Sequence, residues 1–113
     1  MFLLGGCASL SPAVAIPNTQ TLAGAWRGRV SGFAGNAMAV MTIAETGAYT
    51  GTMFLEVGDT PFQGAIVVID PGRVRYGGTL GNGTVRLEQR ADGQLLRFVQ
   101  DGGGGGASWS RQP

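Results

Sequence analysis

The side chains of this 113-residue chain that could carry acid–base, nucleophilic or metal chemistry are few. Histidine and lysine are absent, Cys7 is the one cysteine, and eight arginines face seven carboxylates for a net charge of +1. Without histidine no Ser-His-Asp or Cys-His arrangement can form, and a single cysteine cannot build a tetrahedral zinc site. The carboxylates Glu45, Glu56, Asp59, Asp70, Glu88, Asp92 and Asp101 fall mostly at turns or on a charged face, and nothing singles out a glycosidase-like pair among them. The run Gly102–Gly106 lacks the lysine and the strand-to-helix context of a phosphate-cradling loop and reads as a linker. Catalysis, a bound metal and a cofactor are therefore not expected. A net charge this small gives no field to steer a nucleic acid.

Arginine is the only cation, and its placement is regular. Arg27 and Arg29 alternate with Trp26 and Val30, and Arg73 and Arg75 with Val74 and Tyr76. Arg86 and Arg90 likewise oppose Val85 and Leu87. Alternation of this kind is the signal of half-buried strands. On a closed sheet these arginines form an outer band suited to anionic lipid or glycan phosphate, diluted by Glu56 and Glu88. A solvated face with ordinary ion pairs is the favoured reading, because surface pairs are weak evidence of function.

The rest of the chain follows the same rhythm. Segments Ala25–Phe33, Met38–Glu45, Ala48–Val57, Pro61–Ile69, Arg73–Leu80, Thr84–Arg90, Gln94–Gln100 and Ala107–Arg111 read as strands. Between them lie turn signals such as Thr46-Gly47, Gly58-Asp59, Asp70-Pro71-Gly72, Gly81-Asn82-Gly83 and Asp92-Gly93. Asn36 could instead cap a helix over Ala37–Glu45 stopped at Gly47, but Val40, Thr42 and Ile43 and the neighbouring turns favour a strand. The connections are too short for crossover helices. The predicted fold is all-β, an antiparallel up-and-down meander of about eight short strands. Gly28, Gly51, Gly64, Gly77 and Gly78 fall inside strands, where glycine marks bulges, coiling or close backbone approach. Such coiling favours a closed or nearly closed small barrel. Trp26, Val30, Met53, Leu55, Phe62, Ile66, Val68, Tyr76, Val85, Leu87, Phe98 and Trp109 are its expected filling.

The N-terminal residues carry a different signal. Leu4-Gly5-Gly6-Cys7 resembles the lipobox of bacterial lipoproteins, with leucine at the right distance, small residues at the cleaved bond and a thiol to take the diacylglycerol. Only six residues precede Cys7, which is short for a signal peptide and places the expected start further upstream. The resemblance implies that residues 1–6 are the remnant of a signal peptide and that Cys7 is lipidated. It also implies a protein held at the outer membrane and facing the periplasm, since Ala8 rather than an aspartate follows the cysteine. Residues 7–21, with Pro12 and Pro17, then read as a lipidated N-terminus and extended, mobile tether, and residues 22–113 as the barrel domain.

Gly24-Ala25-Trp26 is similar to the Gly-x-Trp signature that opens the first strand of lipocalin and calycin barrels. That resemblance implies an arginine of the last strand packed over the indole to close the barrel floor, a role open to Arg111 or Arg97. The expected function is a non-enzymatic, lipid-anchored envelope protein with a structural or protein-interaction role. Two alternatives stand beside it: a carrier of a small apolar ligand, and a peptidase inhibitor. The expected partners are the membrane, through the anchor, and an envelope protein or a small apolar ligand.

Overall fold

The computed structural model describes residues 13–32 and 36–113. Cys7 and the whole lipobox lie outside the described residues, as do Phe33, Ala34 and Gly35. Nine strands are formed among the described residues: β1 (Ala13–Val14), β2 (Gly24–Ser31), β3 (Ala37–Ile43), β4 (Ala48–Leu55), β5 (Gly58–Asp70), β6 (Arg73–Gly78), β7 (Gly81–Arg90), β8 (Gly93–Gln100) and β9 (Gly106–Arg111). A single 3₁₀ turn, Thr19–Leu22, precedes β2.

Each strand from β2 to β9 pairs antiparallel with the next, and β9 returns to pair with β2 from Trp26↔Arg111 to Ser31↔Gly106. The meander is thus a closed eight-stranded barrel, with β1 as an extra strand. The Ala37–Ile43 segment is a strand, not a helix: its inward residues Ala37, Ala39, Met41 and Ile43 recur at the two-residue period.

The barrel is filled by aromatic rings. Tyr49, Phe62, Trp109 and Phe98 contact one another in a closed circuit, with centroid separations of 6.2, 6.0, 5.9 and 5.6 Å. Tyr76 stacks on Phe98 at 4.3 Å. Three of these rings fit because the residue opposite is a glycine: Tyr49↔Gly64, Phe62↔Gly51 and Tyr76↔Gly83 are direct cross-strand pairs. A Cβ on Gly64 would lie 2.4 Å from Cζ of Tyr49, and one on Gly51 2.4 Å from Cζ of Phe62. At Gly28 and Gly78 a Cβ would instead strike the backbone of the paired strand, so these glycines serve close backbone approach.

Three sequence expectations are corrected. The stretch read as a mobile tether up to residue 21 is, from Ala13 onward, packed on the barrel. β1 pairs with β7 through Ala13↔Glu88 and Val14↔Leu87, and Ile16 and Leu22 are buried in the core. Proline content predicted an extended chain, but the apolar Val14, Ile16 and Leu22 supply enough burial to fix it. Second, the β4–β5 turn sits at Glu56-Val57 rather than Gly58-Asp59, because the ladder runs on to Leu55↔Gly58. Val57 is therefore at the hairpin tip and 91% exposed, and Leu55 and Val68 are only partly buried. Third, Gly81-Asn82-Gly83 is ladder rather than turn, which falls at Thr79-Leu80.

Candidate functional site

Three sites on this scaffold combine polar chemistry with defined geometry. The first is the barrel floor. The Arg111 guanidinium carbon lies 4.4 Å from the centroid of the Trp26 ring, and Arg111 donates to the Gln94 side chain and to the carbonyls of Ala23 and Thr21. Trp26 donates its indole N–H to the Leu22 carbonyl at 2.9 Å, which ties the 3₁₀ turn under the barrel. Gly24 adopts φ +129°, and a Cβ there would meet an Arg111 nitrogen at 3.4 Å. Burial lowers the Arg111 pKa without a carboxylate partner to offset it. The structure thus brings Gly24, Trp26 and Arg111 together. Arg97 instead points outward, toward Glu88.

The second site was not singled out from the sequence. Glu88 faces outward on β7, yet it is only 3% exposed. Its carboxylate accepts from Arg86 at 3.0 Å and Arg90 at 2.9 Å, with Arg97 of β8 at 3.7 Å. Burial pushes the Glu88 pKa up, but hydrogen bonds from Arg90 and Arg86 and the charge of Arg97 outweigh it and hold the carboxyl below its usual range. The pattern Arg86-x-Glu88-x-Arg90 on one strand face was the available signal. Only the closed ladder adds Arg97, directly opposite Arg86. Three guanidinium groups around one carboxylate leave the cluster with net positive charge.

The third is a groove of about 520 Å³ beside it. The β6–β7 ladder stops at Arg75↔Thr84, and β1 occupies the same edge of β7 only from Leu87. Val14, Ile16, Val74, Val85 and Leu87 line the gap between them, with Arg86 and Val99 at its margin. Arg75, nearby on β6, pairs with both oxygens of Asp101. Among the described residues no group of three or more histidine, cysteine or acidic side chains could hold a metal ion.

No protein-family model matches this chain, and neither a curated protein nor a solved structure is significantly similar to it.

Proposed function

We propose that the chain is a non-enzymatic, lipid-anchored protein of the bacterial envelope, held through Cys7 at the outer membrane and facing the periplasm. Its barrel serves a structural or protein-interaction role and works through its outer surface. The observation that carries this reading is the circuit of Tyr49, Phe62, Trp109 and Phe98, capped by Tyr76, which takes up the volume a lumenal cargo would need. Eight-stranded barrels have interiors just wide enough either for side chains or for one small ligand. Five aromatic rings packed inside support the first.

Mass spectrometry of the full chain recovered from bacterial membranes tests both parts. The expected result is diacylglycerol and acyl mass on Cys7, absent from Cys7→Ser, and no other stoichiometric mass lost between native and denatured conditions. Membrane recovery without lipid mass would overturn the anchor. Loss of a bound small molecule on denaturation would favour the second reading, a carrier of an apolar ligand, for which the groove between β1, β6 and β7 offers an apolar lining.

A further inference from the structure

The packing of Ala13 onto β7 shortens the chain's leash. Six residue steps separate Cys7 from Ala13, and such a chain reaches at most about 21 Å when fully extended. A protein anchored at Cys7 therefore keeps the β1 side of its barrel nearest the bilayer. That side carries Arg86, Arg90 and Arg97 around the lone Glu88, a local excess of two positive charges. The next ion pairs along it, Arg73 with Asp70 and Arg75 with Asp101, are balanced. Two aliphatic side chains on this side point to solvent: Val99, 49% exposed and two residues from Arg97 on β8, and Ile69, 53% exposed, which lines a shallow groove with Arg73, Arg75 and Thr84. Guanidinium groups among aliphatic residues suit a phospholipid headgroup layer, which offers phosphates to the first and interfacial apolar depth to the second.

We propose that this face, built from Arg86, Arg90, Arg97, Ile69 and Val99, lies on the anionic headgroups of the membrane and sets the orientation of the barrel. The argument from the leash rests on the lipid-anchor reading, whereas the chemistry of the face does not. The test uses the full chain as Cys7→Ser, which cannot be acylated, in flotation with vesicles. One set is phosphatidylcholine alone, and the other is one part phosphatidylglycerol to two parts phosphatidylcholine. Binding is expected to the anionic vesicles only and to weaken as salt is raised. Arg97→Gln should reduce affinity about fivefold, the effect of one basic residue at an anionic surface. Ile69→Glu, at an exposed position outside the Glu88 ion pairs, should reduce it further. Thr50→Glu, on β4 across the barrel, should leave it unchanged. No binding, equal binding to both vesicles, or an equal loss in Thr50→Glu would overturn the proposal. Should Cys7 prove to carry no lipid, selective flotation would still stand, so the anchor and the face fail separately.

Discussion

Glu88 is the residue where burial and charge compete most directly. A carboxyl whose pKa is lower in the folded than in the unfolded state adds stability that is fully present above its unfolded value. That contribution disappears as pH falls through the folded value. The lowered pKa of Glu88 therefore predicts a stability loss on acidification below the ordinary glutamate range. Glu88→Gln should be about 1–2 kcal/mol less stable near neutral pH, from weakened charged hydrogen bonds, and its stability should fall less steeply in acid. Urea midpoints of both proteins across pH check this, and parallel acid limbs would refute it. At Gly28 the conflict is steric. A Cβ there would lie 1.8 Å from the Ser108 carbonyl oxygen, backbone that cannot swing away. Gly28→Ala should destabilise by about 3 kcal/mol or more, the upper end for overpacking. Gly72→Ala, whose nearest neighbour would be 3.6 Å away, should change little in the same denaturation assay.

Among the elements, the N-terminal segment differs most from what its composition promised. Ile16 is 2% exposed, and its N–H reaches the Pro71 carbonyl at 3.3 Å. Thr19 donates its hydroxyl to the Glu45 carbonyl at 2.6 Å. Ile16→Ala should lower the stability of the entire barrel by about 2–4 kcal/mol, as for a core truncation, in a single transition seen by both tryptophans. A mobile tether would show no change. The strands themselves were legible because each alternates apolar and polar residues, as in Arg73-Val74-Arg75-Tyr76, and the barrel because glycine recurs within them. The packed role of Ile16 was not legible: the four residues Ala13–Ile16 between Pro12 and Pro17 are all apolar, so they show no alternation that would mark one of them as inward. Turn positions slipped by two residues around Val57 and Gly81 because Gly58 and Gly81 take positive φ as the first residues of the returning strands, and only the partner strand separates that use of glycine from a turn.

For the whole molecule, closure is the governing fact. β2 and β9 meet through residues far apart in sequence, such as Trp26 and Arg111. All-β barrels, whose closure waits on such a seam, fold in milliseconds to seconds. Stopped-flow refolding should give rates in that range, and a floor that is the last seam to be made would have Arg111→Gln raise the unfolding rate more than it lowers the folding rate. A larger effect on folding would place the floor in the folding nucleus instead. The outward surfaces were less legible than the core. A sequence shows that Arg86, Glu88 and Arg90 share a strand face, but Arg97 joins them through a ladder whose register is set by the core of the closed barrel.

The seating of rings on glycines has a spectroscopic counterpart. Protons held above the plane of an aromatic ring feel its circulating electrons as an opposing field, and their resonances move upfield. The α-protons of Gly64, Gly51 and Gly83 lie against the rings of Tyr49, Phe62 and Tyr76. Each should stand apart from the crowded signals of the other glycines, giving three local reporters of barrel closure, one for each ring, readable in a single proton–carbon correlation spectrum.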